Sequence, residues 1–153
     1  MYYNIKEATS NSDLEAIALH IGLEISVLNH HELKNVKCKQ NGMYIFNINA
    51  NKPMGHWVAC VIRKGTAFYC DSYAVKPSQL IIDFFCRAGV KWTYNKNDIQ
   101  HIDAVSCGYF CLVFLHFMRK NASYYRMYQF TRHFYNDTKK NDELIELYLK
   151  TYF

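Results

Sequence analysis

The apolar residues near the N terminus recur every three or four positions, which is the period of one helix face. They are Leu14, Ile17, Ala18 and Ile21. Ser12 and Glu15 have the spacing of a capping box, in which each side chain accepts a hydrogen bond from the other residue's backbone N–H. The pattern predicts a first helix that ends at Gly22.

Short runs rich in aromatic and β-branched residues replace the helical spacing in the middle of the chain, and such runs favour strands. The predicted strands run from Met43 to Ile48, Trp57 to Ile62, Ala67 to Asp71, Val90 to Tyr94 and Ile99 to Ile102. A tight turn at residues 63–66 joins the second strand to the third.

Three further helices are predicted in the second half of the chain. The first runs from Leu80 to Cys86, with Pro77 at its first position and Gly89 as its stop. The second is the apolar run from Cys107 to Met118, which has the character of a buried core helix. Asn141 and Asp142 are expected to cap the last helix, whereas residues 120–140 are open to interpretation as helix, loop or a basic surface flap.

These elements predict an α+β fold with a single domain over residues 1–153, since no repeat, low-complexity tract or linker divides the chain. We expect a central, mostly antiparallel sheet packed against the buried helix that begins at Cys107. Further helices are expected to flank this arrangement.

The composition restricts the partners and the setting of the protein. Lys and Arg outnumber Asp and Glu by 18 to 13, a net charge of +5 that favours anionic partners such as DNA without requiring one. The six cysteines form no C-x-x-C pair and no signal-peptide segment precedes them, so we expect reduced thiols in an intracellular protein. The longest apolar run is too short for a membrane span, which needs about 20 residues.

Cys107 is the candidate nucleophile, because it opens a buried helix. The N–H groups and the positive dipole end of a helix favour a thiolate. Acyl transfer by a cysteine also needs a base, a group that orients the base, and donors for the developing oxyanion. His56 and Asp71 are the candidates for the first two roles, and Gln100, together with the Cys107 N–H, for the third.

Whether His56 and Asp71 meet depends on the turn between their strands. A two-residue turn at Lys64-Gly65 places Asp71 opposite Val58 and diagonal to His56 on one face of the sheet. A three-residue loop would shift the register by one and send Asp71 to the other face. The sequence leaves both turns open.

Each of these residues also has an ordinary structural interpretation, as a buried thiol, a core histidine or a strand-end carboxylate. Structural zinc is disfavoured, because Cys and His lack the short paired spacing of zinc ligands. A disulfide between Cys60 and Cys70 is disfavoured as well, since the two-residue turn sends these side chains to opposite faces.

Four motifs in chain order resemble the cysteine proteases typified by the adenovirus maturation protease, adenain, and the ubiquitin-like-protein proteases. The motifs are Gly55-His56-Trp57, Asp71-Ser72, Gln100 and Cys107-Gly108. The run Cys107 to Cys111 followed by Phe114 to His116, and the seven-residue step from Gln100 to Cys107, are most similar to adenain. Looser similarity extends to the N-terminal helix and to the Tyr152-Phe153 end.

The resemblance implies an adenain-like fold and a monomeric endopeptidase that cleaves viral capsid and core precursor proteins during particle maturation, in an infected cell and in the virion. The source could be a virus, a virophage or a virus-like transposon. It also implies a triad of His56, Asp71 and Cys107, with Gln100 in the oxyanion hole and Trp57 packed beside them. No cofactor or metal is expected for the chemistry.

Two departures from the family pattern concern the triad and the activators. Asp71 stands where adenain has a glutamate, which keeps the carboxylate. Adenain is activated by DNA and by a disulfide-linked peptide. Gly89 falls where the linking cysteine is expected, with Cys86 nearby, which counts against a covalent peptide link. DNA, which the net charge of +5 favours, or a peptide is the candidate activator. Removal of ubiquitin-like modifiers, a non-enzymatic nucleic-acid-binding module and an acetyltransferase are the alternative functions.

Overall fold

The computed structural model describes residues 3–48 and 55–153 and has a mixed α+β fold, which confirms the predicted class. Its strands are β1 (Ser26–Asn29), β2 (Met43–Asn47), β3 (Trp57–Arg63), β4 (Thr66–Cys70) and β5 (Lys91–Tyr94). Its α-helices are α1 (Asn11–His20), α2 (Gln79–Arg87), α3 (Cys107–Met118), α4 (Tyr124–Arg132) and α5 (Asn141–Tyr152). Short 3₁₀ helices span His30–Lys34 and Thr138–Lys140.

The strands form one sheet in the order β1-β2-β3-β4-β5. The pairs β2-β3 and β3-β4 are antiparallel, whereas β1-β2 and β4-β5 are parallel. The sheet is therefore less antiparallel than expected, because α2 returns the chain across the sheet before β5, as a parallel pair requires. The sequence did not predict β1, which has four half-buried residues.

The turn between β3 and β4 has two residues, as one of the two sequence interpretations required. Arg63 pairs with Thr66, and Ala59 pairs with Cys70. Lys64 and Gly65 have φ angles of 51° and 77°, and positive φ at both central positions is typical of a type I′ hairpin turn. The register therefore carries Asp71 to the position opposite Val58.

The two faces of the sheet contribute to two separate cores. Ala59 and Val61 of β3 belong to the core that contains α3, whose residues are buried all round except for the half-buried Phe117. Cys60 of β3 and the apolar side of α2 belong to the other core. Cys70 lies in the first core, so the predicted exclusion of a Cys60–Cys70 disulfide is confirmed, and the cysteines are free thiols.

Two predicted helix starts are wrong in detail. The capping box of α1 is Ser10 with Asp13, rather than Ser12 with Glu15, because the helix already begins at Asn11. Pro77 precedes the cap of α2, where the Ser78 side chain accepts a hydrogen bond from the Ile81 N–H at 3.4 Å.

Tertiary hydrogen bonds override two further predictions. Residues 99–102 form bends and turns instead of a strand, since the N–H groups of Ile99 and Gln100 both donate to the carbonyl of Ser72. Asn141 does not cap α5; it is buried and donates to the Ile99 carbonyl at 2.8 Å. The open segment 120–140 contains α4, which the Ser123 side chain caps.

Gly108, the second residue of α3, lies against the chain before α1. A Cβ at this position would clash with Thr9 Oγ1 and lie 3.1 Å from Leu14 Cδ2. Because overpacking of this kind costs about 1–3 kcal/mol, we expect Gly108→Ala to lower the free energy of unfolding by that amount, measured by urea denaturation.

Thr9→Ala is the matched control for this prediction. It removes a buried hydroxyl that has no hydrogen-bond partner within the described residues. Combined with Gly108→Ala, it should recover part of the lost stability. Equal stability of Gly108→Ala and the wild type would contradict the close packing of these two segments.

Candidate active site

The β3-β4 hairpin brings His56 and Asp71 together at one end of the sheet. His56 directly precedes β3 and Asp71 directly follows β4. The His56 Nε2 atom lies 2.8 Å from Asp71 Oδ1. Both residues are buried, with exposed fractions of 7% and 1%. The arrangement orients the imidazole and leaves its Nδ1 edge for another group.

Asp71 is itself held by further hydrogen bonds from its own turn and from Asn95. Its Oδ1 accepts a bond from the Tyr73 N–H at 2.8 Å. The buried Asn95 side chain accepts from the Asp71 N–H at 3.0 Å and donates to the Asp71 carbonyl at 2.6 Å. Sequence reasoning missed Asn95, because a single asparagine after a strand carries no signal of such a partner.

The surroundings of His56 favour its protonated form. Burial alone lowers its pKa, but hydrogen bonds to Asp71 and Cys107, together with the charges of these groups, raise the pKa of His56 to about 9. The Tyr73 ring also stacks on the imidazole, with 4.8 Å between ring centroids and an interplanar angle of 24°. An imidazolium at neutral pH can pair with a thiolate and later donate a proton.

Cys107 is the first residue of α3, and its side chain forms a hydrogen bond with that of His56. Its side chain is buried but reaches a cleft of about 840 Å³ that His56, Asp71 and Gln100 also line. The four residues selected from the sequence therefore line one cleft. Trp57 forms part of the same wall and donates from Nε1 to the Thr9 carbonyl at 3.1 Å.

Hydrogen bonds fix the side chain of Gln100 in this cleft. Its Oε1 accepts a short bond of 2.5 Å from the Ser72 hydroxyl, and its Nε2 donates to the Ala104 carbonyl at 2.9 Å. An amide nitrogen carries two hydrogens. Nε2 therefore has one hydrogen in addition to the one that it gives to Ala104.

Burial holds four other cysteines in the neutral thiol form. Burial raises the pKa of Cys38 to about 11 and raises the pKa values of Cys60, Cys70 and Cys111 well above the usual range. These groups stay as thiols at neutral pH. In the part of the chain that the structure describes, no group of three or more His, Cys, Asp or Glu residues could hold a metal ion.

The ionisation of His56 can be followed by NMR as pH is varied. We expect its ring to titrate at about 9, above the ~6.5 of a free histidine. Its protonated form then stabilises the fold fully below pH ~6.5, and this contribution is lost as pH rises through about 9.

Asp71→Asn should lower the pKa of His56, because it removes a negative charge. His116 is the internal control: burial, followed by the charges of Arg119 and Lys120, lowers its pKa to about 4, and the variant should leave it unchanged. A His56 ring that titrates at or below 6.5 in the wild type would contradict the description of the pair.

No helix in the described ranges has the length and apolar character needed to cross a membrane. No protein-family model matches the chain, and no curated protein matches it. Among solved structures, the chain is similar to the crystal structure of the selenomethionine form of the ASFV pS273R protease. That match has 20% sequence identity and a TM-score of 0.45, and it covers 56% of this chain and 37% of the protease chain.

Proposed function

We propose that the protein is a cysteine endopeptidase of the adenain type that cleaves viral capsid and core precursor proteins during particle maturation. The observation that carries this proposal is the buried His56–Asp71 pair, which lines the same cleft as Cys107 at the start of α3. A base, a group that orients it and a thiol are the parts that acyl transfer needs. The proposed setting is the infected cell and the virion.

The proposed reaction begins when the Cys107 thiolate attacks a substrate carbonyl carbon and the carbonyl oxygen becomes an oxyanion. When this intermediate collapses, the C–N bond breaks and the His56 imidazolium gives its proton to the leaving amine. A thioester remains on Cys107. Water that gives a proton to the now neutral His56 then hydrolyses the thioester and restores the thiolate and imidazolium.

Two donors are assigned to the oxyanion. One is the backbone N–H of Cys107, since the first N–H groups of a helix have no partner within the helix. The other is the second hydrogen of Gln100 Nε2, whose side chain is held by Ser72 and Ala104. Donors fixed in advance stabilise a developing charge without reorganisation.

DNA is a proposed partner, because positive charge is concentrated in one segment of the chain. Residues 119–140 contain six Lys or Arg and one Asp, a net charge of +5 that equals the net charge of the whole chain. Tyr125 and Tyr128 on α4 are exposed, and the Arg132 guanidinium lies over the Tyr128 ring. Cations interleaved with exposed aromatic rings suit phosphate contacts and base stacking.

A peptide-library digest read by mass spectrometry tests the function. The wild type and Cys107→Ala are compared, each with and without DNA. Cleavage by the wild type but not by Cys107→Ala supports the protease. If that cleavage also requires DNA, the result supports an activating role for DNA.

The cleavage motif separates the two protease classes. Products that end in Gly-Gly would favour removal of ubiquitin-like modifiers, and other motifs would favour precursor maturation. Equal cleavage by the wild type and Cys107→Ala would contradict the assignment of the nucleophile. Absence of cleavage in every sample, together with a Cys107 that reacts no faster than an exposed thiol, would favour the non-enzymatic nucleic-acid-binding alternative.

A further inference from the structure

The start of α3 differs from the starts of the other helices that follow a serine. Ser10, Ser78 and Ser123 precede α1, α2 and α4 with ψ angles of 171°, 160° and 166°. Each of these hydroxyls accepts a hydrogen bond from the N–H three residues later, as a capping serine normally does. Ser106 precedes α3 with a ψ angle of 9° and makes no capping bond.

The hydroxyl of Ser106 instead bonds to the last helix. It is fully buried and donates to Asp142 Oδ1 over 2.5 Å. Asp142 lies in the first turn of α5, next to Asn141, which donates to the carbonyl of Ile99. The first two residues of α5 therefore hold both ends of the segment 99–106, which carries Gln100.

The ψ angle of Ser106 decides where the N–H of Cys107 points. The peptide group is planar, so ψ of one residue rotates the next N–H about the chain. A change of Ser106 from 9° to the 160–171° of the other serines would turn the Cys107 N–H by more than a right angle. The oxyanion would then lose this donor.

We propose that Asp142 is a positioning residue for the active site. By bonding the Ser106 hydroxyl, it prevents this serine from adopting the extended capping conformation and so keeps the Cys107 N–H directed at the oxyanion. The proposal rests on the proposed function for its catalytic consequence, whereas the conformation of Ser106 is independent of any activity.

The kinetic test uses the peptide that the digest identifies as the best substrate. Asp142→Ala should lower kcat by at least about 10-fold and by no more than the ~10²–10³-fold cost of deleting an oxyanion donor, while KM changes little. Asp142→Asn should retain most of the activity, since its amide oxygen can still accept from Ser106. Glu143→Ala, which removes an exposed carboxylate of the same turn, is the matched control.

A double variant separates this role from a general structural one. The double variant combines Ser106→Ala with Asp142→Ala and so removes the hydroxyl that would form the cap. Its kcat should therefore rise above that of Asp142→Ala and equal that of Ser106→Ala alone. Wild-type kcat in Asp142→Ala, or no recovery in the double variant, would overturn the proposal.

Amide hydrogen exchange gives a readout that does not require turnover. In Asp142→Ala, the hydroxyl of a capping Ser106 would accept a hydrogen bond from the Tyr109 N–H. Exchange of the Tyr109 amide hydrogen should then slow by about 5-fold or more relative to the wild type. This measurement tests the cap even if no peptide is cleaved. Unchanged exchange would overturn the proposal. Slowed exchange without any cleavage by the wild type would support the role of Asp142 and count against the proposed protease.

Discussion

Replacing Cys107 with alanine is expected to lower kcat/KM for peptide cleavage by about 10⁵-fold or more, because the thioester intermediate cannot form without the thiol. KM should change little, since the walls of the cleft remain. Initial rates with a fluorogenic form of the best library peptide measure both constants.

Cys86→Ala is the matched control for this loss. Cys86 is an exposed thiol on α2, which packs against the face of the sheet opposite α3. Its removal should leave the rate unchanged. If Cys107→Ala retained a tenth or more of the wild-type rate, the nucleophile would have to be another group.

Loss of the His56 side chain is expected to have the second largest effect. His56→Ala should lower kcat/KM by about 10⁴-fold or more, because the leaving amine then receives no proton and the thiolate loses its partner. Asp71→Asn should cost less than His56→Ala and leave a partly active enzyme, since an amide oxygen can still accept from His56 Nε2 while the negative charge is lost.

The order of these two effects is itself a test. His20→Ala, at an exposed histidine of α1, is the control and should match the wild type. Imidazole added to His56→Gly should restore part of the rate, because the vacated space can hold the free base. A larger loss for Asp71→Asn than for His56→Ala would contradict the assigned roles.

The pairing of His56 with Asp71 could be predicted from the sequence only as one of two alternatives. The residue types and their positions at strand ends were informative. However, the face of the sheet on which Asp71 lies depends on whether the turn has two or three residues. The positive φ angles of Lys64 and Gly65 select the two-residue turn. Lysine does not favour that conformation, so the local sequence could not decide the turn alone.

The buried helix α3 was the most predictable element, because a continuous apolar run has few alternatives in a small domain. The segment before it was the least predictable. Ile99 to Ile102 has the composition of a strand, but long-range bonds to Ser72 and Asn141 determine its conformation. Such contacts join residues 27 to 42 positions apart and leave no local periodicity.

The alkylation rates of Cys107 and Cys86 at pH 6, measured by iodoacetamide labelling and peptide mapping, test the central claim most directly. The exposed Cys86 is a reference in the same molecule. If Cys107 forms an ion pair with His56, it should react faster than Cys86 although it is buried, and His56→Ala should reverse the order. A wild-type protein in which Cys86 reacts faster than Cys107 would contradict the proposed nucleophile.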